Sequence, residues 1–254
     1  MLDKIVLEKK LPGVRVITKE LTGSTNNDAK EMINSSPSDT LITSEKQTGG
    51  RGRQGKSFSS PEGGLYMTLL LRCGMPITTA VGATSCSAVA VSRAIKNVCG
   101  IDTGIKWVND IYAGGKKLCG ILTEAVNDYS RGISEYLVIG IGINVMTTPV
   151  VPSSSVECTS LSELGSAASR EELCAGIARE LISMRNKSFD FSLYSEEYTA
   201  RSVVIGREIT FTRNGETKHG TALGIDKHGG LIVCSDNETL LLDSGEISVR
   251  LKNL

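Results

Sequence analysis

Short segments in which apolar and polar residues alternate, or in which apolar residues run together, occur along most of this chain. Such patterns are typical of β-strands that bury one face or both. They predict strands at residues 11–21, 41–45, 65–72, 103–107, 117–126 and 135–145. A helical spacing of apolar residues instead predicts helices at residues 79–98, 171–185 and 191–198. Gly100 is placed to end the first of these helices.

A shorter helix is predicted at residues 26–33. Ser24 and Thr25 are residue types that favour the N-cap position, and Thr25 with Asp28 has the spacing of a capping box. Asn109-Asp110 starts a turn, and residues 112–116 (YAGGK) have the composition of a hairpin turn between two strands.

The character of the chain changes after Ser202. Residues 206–252 contain short strand patterns that are separated by turn sequences such as Asn214-Gly215 and Asp236-Asn237. Before them, residues 147–155 have the Pro and Ser content of a loop. We therefore predict an α+β fold, with a mixed-sheet domain at residues 1–203 and a small β-barrel at residues 204–254.

The amino-acid composition argues against several classes of function. The 254 residues include 28 basic and 28 acidic side chains, so the formal net charge is zero, whereas a general nucleic-acid binder is usually basic. There is no apolar run of about 18 residues and no signal-peptide core, so we expect no membrane span and a cytoplasmic location. Seven cysteines without a C-x-x-C pair and only two histidines disfavour a metal cage and His-dependent catalysis. We expect reduced thiols.

The segment with the most chemical information is the glycine loop, residues 49–56, which reads GGRGRQGK. Glycines let the backbone approach a ligand, and cations beside exposed N–H groups make a seat for an anion. The loop fits neither the P-loop nor the dinucleotide fingerprint. Alone, it is also compatible with a solvated loop or a weak nucleic-acid patch.

Three other short segments with polar residues, which we call polar islands together with the glycine loop, lie at predicted strand ends or turns. They are Ser24-Thr25-Asn26, residues 106–110 with Lys117, and residues 140–144 (GIGIN). Loops on a rigid scaffold are where binding sites are usually built. Several such islands in one compact domain predict a shared site.

Together these islands resemble the biotin protein ligases. The matching segments are GSTNN at 23–27, QTGGRGRQGK at 47–56, KWVNDI at 106–111, KKLCGILTE at 116–124 and GIGINV at 140–145. The resemblance implies a mixed-sheet domain of the biotin/lipoate ligase type followed by an SH3-like β-barrel. It also implies a two-step reaction. Biotin and ATP with Mg²⁺ give biotinoyl-5′-AMP, and a lysine of a biotin carboxyl carrier protein then takes the biotinoyl group.

The resemblance also assigns roles to residues. Those expected to bind biotin are Ser24, Thr25, Asn26, Gln47, Arg51, Gly52, Arg53 and Lys117. Those expected near ATP are Arg53, Lys56, Phe58, Asn109 and Asn144. Lys117 and Arg53 are expected to act in catalysis, and no metal is expected to be held directly by side chains. From the residues alone, turn formation is an equal explanation for Asn109 and Asn144.

The chemistry fits a site without a nucleophilic side chain. The biotin carboxylate itself attacks the α-phosphate, so the protein needs only to position two anions and stabilise charge. Three positions depart from the family pattern: Lys56 stands for arginine, Phe58 for tryptophan and Val108 for proline. Lysine loses the bidentate phosphate geometry of arginine, and Val108 is expected to leave the turn before Asn109 freer.

Alternatives stay open at this point. A lipoate–protein ligase would share the fold, although its usual Arg-rich stretch before a Gly-Gly-Gly run is absent. A non-catalytic biotin sensor and a nucleic-acid-binding barrel are the other candidates. The residues before Gly23 are too few for a DNA-binding domain, so we expect no specific DNA binding. A homodimer formed through residues 135–145 is open. The glycine loop is expected to be mobile until biotin or the adenylate orders it.

Overall fold

The computed structural model describes residues 1–36, 38–149, 156–213, 215–243 and 249–251. Its larger part is built on a mixed sheet with the strands β1 (Arg15–Thr22), β2 (Thr40–Gln47), β3 (Leu65–Pro76), β4 (Gly104–Lys106), β5 (Asp110–Ala113), β6 (Lys116–Asp128) and β7 (Ile133–Ile143). The strand order is β1-β2-β3-β7-β6-β5-β4; β1 and β2 pair in parallel, and the other neighbouring strands pair antiparallel. The predicted α+β fold with a mixed sheet is therefore confirmed.

Helices cover both faces of this sheet. They are α1 (Lys4–Lys10), α2 (Thr25–Glu31), α3 (Ile77–Ala80), α4 (Ala83–Cys99), α5 (Arg170–Arg185) and α6 (Ser195–Arg201). Successive residues of a strand point to opposite faces. Leu69 and Leu71 of β3 accordingly join the large core that includes α4 and α5, whereas Leu70 joins a small cluster with Ala29 of α2. The face that carries α2 is only partly filled by apolar side chains, and it holds the site described below.

Most predicted elements are present, with shifted ends. Gly100 ends α4 in the left-handed conformation (φ 73°), as predicted. The hairpin turn at 112–116 also forms, because Gly114 and Gly115 take positive φ between β5 and β6. Two elements differ from the prediction. Asp110 begins a strand rather than a turn, and α1, capped by the Asp3 carboxylate, was not predicted from the sequence.

The predicted capping box at the start of α2 does not form. Ser24 occupies the N-cap position, but its side chain makes no capping hydrogen bond. The Asp28 carboxylate instead accepts a hydrogen bond from the Thr22 hydroxyl (2.8 Å), and the backbone N–H of Thr25 donates to Oε1 of Gln47 (2.9 Å). A side chain from β2 therefore does the capping, and this ties α2 to the strand that precedes the glycine loop.

The C-terminal part forms a second sheet with the strands β8 (Glu208–Arg213), β9 (Glu216–Ile225), β10 (Leu231–Ser235), β11 (Glu238–Leu242) and β12 (Val249–Leu251). Their order is β11-β10-β9-β8-β12, and every pair is antiparallel. Short strands in a small β-barrel were expected here, but within the described residues the sheet is open rather than closed, because β11 and β12 lie at opposite edges. The predicted turn at Asn214 and the loop over 150–155 lie outside the described residues.

Three further expectations have outcomes. Residues 135–145 were considered for a dimer contact through a strand edge, but β7 lies between β3 and β6, so that edge is already paired. All seven cysteines are free thiols, and Cys86, Cys119 and Cys174 are fully buried. In the described part of the chain, none of the helices combines the length and apolar character that a membrane crossing needs.

A buried ion pair joins β2 to α5 and makes stability depend on acid pH. Arg170 donates to the Glu45 carboxylate (2.8 Å), whose side chain is only 8% exposed. Burial alone would raise the pKa of this carboxyl, but its bonds to Arg170 and to the amino group of Met1 outweigh burial and lower the pKa from 4.5 to about 2. A depressed folded-state pKa gives stability that is present above pH 4.5 and is lost as the pH falls towards 2.

We therefore predict that the wild-type protein loses about 3 kcal/mol of unfolding free energy between pH 5 and pH 2 that Glu45→Gln does not lose. Urea unfolding over this pH range measures the difference between the two proteins. Glu62→Gln, which removes a carboxylate from the exposed pair with Lys46, is the matched control and should follow the wild type. A difference between wild type and Glu45→Gln that is constant with pH would contradict this.

Candidate active site

A cleft of about 180 Å³ lies over the α2 face of the seven-stranded sheet. Its floor is formed by glycines of β6 and β7, where Gly120 pairs with Gly142. A Cβ atom at Gly142 would lie 2.3 Å from the ring of Phe58, and one at Gly140 would lie 2.0 Å from Oδ1 of Asn26. The missing side chains therefore create the space in which Phe58 and Asn26 sit.

Neutral hydrogen-bonding groups of α2 and β2 form one part of the lining. Oε1 of Gln47 accepts from the Thr25 N–H (2.9 Å) and hydroxyl (3.2 Å), while Nε2 of Gln47 donates to the Ser60 hydroxyl (2.8 Å). Both Gln47 amide atoms are thus fixed by the protein. Ser24 is buried, with 3% of its surface exposed, and it also lines the cleft.

Asn26 is fixed at the junction of the neutral lining and the sheet. Its Oδ1 lies 2.7 Å from the Thr68 hydroxyl, and its Nδ2 donates to the Glu124 carboxylate (3.0 Å). A longer contact of 3.4 Å reaches the carbonyl of Leu122. Each polar atom of this buried amide therefore has a protein partner, as buried polar groups require.

The glycine loop folds back on itself beside the neutral part of the cleft lining. Its ends are joined by hydrogen bonds from the Phe58 N–H to the Gly50 carbonyl (2.8 Å) and from the Gly52 N–H to the Lys56 carbonyl (2.7 Å). The chain reverses through Gln54, which has a positive φ of 55°. A Cβ at Gly50 would lie 2.3 Å from the Phe58 carbonyl oxygen, so the loop can close only with glycine at that position.

Positive charge dominates the lining. Its cations are Arg51, Arg53, Lys56, Lys106 and Lys117, and Asp110 is its carboxylate. Arg53 donates to Oδ1 of Asn109 (3.2 Å), and Asn109 is itself fixed because its Nδ2 donates to the Ile121 carbonyl (2.6 Å). Burial lowers the pKa of Arg53, and the nearby Asp110 partly offsets this. A desolvated guanidinium among other cations favours an anionic ligand.

Lys117 faces the cleft, whereas its neighbour Lys116 does not. The Lys117 ammonium lies 2.7 Å from the Asp110 carboxylate, and both side chains are 23% exposed. Lys116 pairs instead with the exposed Glu157 (3.3 Å). This is the alternation expected of a strand, and it places Lys117, the lysine predicted to bind biotin, at the cleft.

The segment between β4 and β5 is held from two sides. The Trp107 indole N–H donates to the Gly229 carbonyl in the C-terminal part (2.9 Å), and the buried Tyr198 hydroxyl donates to the Val108 carbonyl (3.1 Å). Trp107 is 4% exposed, and it also lines the cleft. The turn is thus held by one bond from the Trp107 side chain and one to the Val108 backbone, and the expectation that Val108 leaves it freer stays a prediction.

The predicted site residues that line the cleft are Ser24, Thr25, Asn26, Gln47, Arg51, Gly52, Arg53, Lys56, Phe58, Asn109 and Lys117. Asn144 is the exception. It is buried, and its amide donates to the Thr159 carbonyl (2.9 Å) instead of facing the cleft. The ligand contacts assigned to all of these residues stay predictions.

Lys106 and Glu124 were not among the predicted site residues. Lys106 lines the cleft, and its place in the KWVND island was the available signal. Glu124 lies beside the cleft and binds both Asn26 and Arg51, but its pairing depends on contacts between distant segments. Within the described ranges, no three His, Cys, Asp or Glu side chains are grouped in a way that would hold a metal ion.

Comparisons with known proteins agree with this arrangement. Residues 18–144 match the Biotin/lipoate A/B protein ligase family, and residues 204–250 match the Biotin protein ligase C terminal domain. The bifunctional ligase/repressor BirA of Bacillus subtilis is 33% identical over 253 residues, which cover 96% of this chain and 76% of that relative. The biotin–[acetyl-CoA-carboxylase] ligase of Mycobacterium tuberculosis is 29% identical, covering 89% and 85%.

The fold is also found among solved structures. The biotin protein ligase from Aquifex aeolicus, in complex with biotin and ATP, superposes with a TM-score of 0.75 and 26% identity. That similarity covers 94% of this chain and 99% of the other.

Proposed function

Because this chain belongs to the biotin/lipoate A/B protein ligase family, we propose that it is a biotin protein ligase. It activates biotin with ATP to biotinoyl-5′-AMP and then transfers biotin to a lysine of a biotin carboxyl carrier domain. The observation that supports this most strongly is the two-part lining of a single cleft. Groups from α2 and β2 supply neutral donors and acceptors, and the glycine loop and β6 supply cations. Biotin has the matching halves, a neutral ureido ring and a carboxylate.

Biotin binding uses the neutral part of the lining. The ureido ring needs paired donors and acceptors, which the side chains of Ser24, Thr25, Asn26 and Gln47 supply. The side chains of Thr25, Asn26 and Gln47 are held by hydrogen bonds before the ligand arrives, and this reduces the ordering cost of binding. Arg51 and Gly52 of the glycine loop cover the ligand from solvent.

In the first step an oxygen of the biotin carboxylate attacks the α-phosphorus of ATP, and the P–O bond to pyrophosphate breaks with its electron pair leaving on pyrophosphate. The reacting groups are both anions, so Arg53 and Lys117 act by reducing their repulsion and by stabilising the charge that builds up at the α-phosphate. Lys56, Phe58 and Asn109 contact the nucleotide. Mg²⁺ enters as part of the ATP substrate.

In the second step the neutral amine of the carrier lysine attacks the acyl carbon of biotinoyl-5′-AMP. The C–O bond to AMP breaks, AMP leaves with the electron pair, and the new amide nitrogen loses a proton to solvent. Lys117, near the acyl-phosphate oxygen, stabilises the negative charge on the departing phosphate. The covered cleft protects the mixed anhydride from water until the carrier lysine arrives.

Pyrophosphate release tests the function. With ATP and Mg²⁺, pyrophosphate should appear in one burst on addition of biotin and stay at background on addition of lipoate. Pyrophosphate release with lipoate instead of biotin would show that the protein is a lipoate–protein ligase. Biotin binding without pyrophosphate release would make it a biotin sensor.

We also propose that the chain is organised as a catalytic domain at 1–203 and a C-terminal domain at 204–254. The bond between the Trp107 indole and the Gly229 carbonyl supports a fixed contact between them. Formation of a homodimer stays a prediction, which sedimentation velocity with and without biotin tests.

A further inference from the structure

Glu124 connects three elements around the cleft without lining it. It lies on β6, and its carboxylate accepts from Nδ2 of Asn26 on α2 (3.0 Å). The Lys30 ammonium, also on α2, forms an ion pair with the same carboxylate. From the glycine loop, Arg51 adds two further hydrogen bonds.

The contact between Arg51 and Glu124 has the geometry of a strong ion pair. Nη1 of Arg51 lies 3.1 Å from Oε2 and Nη2 lies 3.0 Å from Oε1, so the guanidinium fork meets both carboxylate oxygens. Nη1 also donates to Oδ1 of Asn27 on α2 (3.0 Å). These hydrogen bonds of the Arg51 side chain are therefore with the sheet and the helix that flank the cleft.

The ionised form of the Glu124 carboxyl is favoured although the side chain is partly buried. Burial alone would raise the pKa of this carboxyl, but hydrogen bonds from Lys30, Asn26 and Arg51 outweigh burial and lower it. The Glu124 side chain is 21% exposed and that of Arg51 is 37% exposed, so water screens the pair in part. The two-point geometry, more than the charge alone, fixes the position of Arg51.

The glycine loop needs such an anchor. Its glycines make the ordered state costly in conformational entropy. The cations that it carries also repel one another and those of β6. A carboxylate opposite Arg51 offsets both costs, because it neutralises one of the cations and fixes one point of the loop to β6. The same carboxylate holds the Asn26 amide that is proposed to bind the ureido ring.

We propose that Glu124 is a positioning residue that seats the glycine loop over the cleft through Arg51 and orients the Asn26 amide. The effects of this positioning on catalysis rest on the proposed function, whereas the anchoring of the loop does not. It changes the role of the Arg51 side chain from contact with biotin to attachment of the loop, while the loop backbone covers the ligand. Substrate contact is left to Arg53, Lys56 and Lys117.

Trypsin cleavage of the ligand-free protein gives a test that does not depend on catalysis. Glu124→Gln keeps the size of the side chain but loses the charge, and cleavage of the Arg53–Gln54 bond, followed by mass spectrometry, should become about tenfold faster. Glu135→Gln is the matched control, because Glu135 lies on β7 and pairs with Arg131 (3.2 Å) away from the cleft. Equal cleavage rates in both variants would contradict the proposal that Glu124 anchors the glycine loop.

A charge swap separates positioning from general structural damage. Arg51→Glu and Glu124→Arg should each raise the KM for biotin about tenfold and shorten the lifetime of bound biotinoyl-5′-AMP, with a smaller effect on kcat. The double variant should recover part of the losses of Glu124→Arg, because it removes the repulsion between two guanidinium groups and restores an ion pair of reversed polarity, although Lys30 and Asn26 still lack their carboxylate partner. A double variant that is no better than Glu124→Arg would contradict the proposal. If the wild type releases no pyrophosphate with biotin, the proposed function fails, whereas the trypsin result stands by itself.

Discussion

Replacement of Lys117 with alanine should reduce biotinoyl-5′-AMP formation by about 10²- to 10³-fold, the usual cost of removing one group that stabilises transition-state charge. The dissociation constant for biotin should change far less. Negative charge at the reacting centre is greater in the transition state than in bound biotin, so the ammonium contributes more to the rate than to binding. The Lys117 ammonium lies 2.7 Å from the Asp110 carboxylate, which fixes its position at the cleft.

Lys116→Ala is the matched control for this experiment. Its ammonium belongs to the same strand but pairs with the exposed Glu157, and surface pairs of this kind contribute little. Single-turnover formation of the adenylate and calorimetric titration with biotin measure the two effects separately. Equal losses of rate and of biotin affinity in Lys117→Ala would refute a role that is specific to the chemical step.

The second large effect is expected from a single added methyl group on the cleft floor. Gly140→Ala places a Cβ atom 2.0 Å from Oδ1 and 2.8 Å from Cγ of Asn26, closer than non-bonded atoms approach. Asn26 has to move, and it then loses its contacts with Thr68 and Glu124. The displaced amide no longer meets the ureido ring that it is proposed to bind, and losing such hydrogen bonds costs about 1–3 kcal/mol, so biotin affinity should fall by roughly 10- to 100-fold.

A double-mutant cycle shows whether this loss acts through Asn26. In an Asn26→Ala background the atom that obstructs the new methyl group is gone, so Gly140→Ala should weaken biotin binding little further. Gly224→Ala on β9 is the control, because a Cβ there meets no atom within 4 Å. Additive losses in the double variant would show that Gly140 matters for a different reason. Thermal unfolding of each variant separates a local effect from loss of the fold.

Local sequence patterns predicted the parts of the fold that depend on neighbouring residues. Alternation identified β6 and β7, and Gly100 ended α4 because only a residue that tolerates positive φ fits there. The short β5 was missed because an Asn-Asp pair is typical of turns, whereas its pairing with β4 and β6 fixes it as a strand. The pairing of strands across long separations is not visible in a single sequence.

The site follows the same division. The polar islands were correctly expected to meet, since each lies at a strand end or turn. The reason for glycine at 140 and 142 was not apparent, because it depends on side chains from α2 and the glycine loop that occupy the missing volume. For the same reason the capping of α2 by Gln47 rather than Asp28 became apparent only in the structure. Asn144 lies in a segment that matches the family, but its side-chain amide donates to the Thr159 carbonyl instead of facing the cleft.

The most direct test of the proposed function is transfer of labelled biotin to a biotin carboxyl carrier domain in the presence of ATP and Mg²⁺. We predict that the carrier gains the mass of one biotinoyl group on its target lysine, that the gain requires both biotin and ATP, and that a carrier with arginine at that position stays unlabelled. A protein that binds biotin and ATP yet leaves the carrier unlabelled would contradict the assignment as a biotin protein ligase.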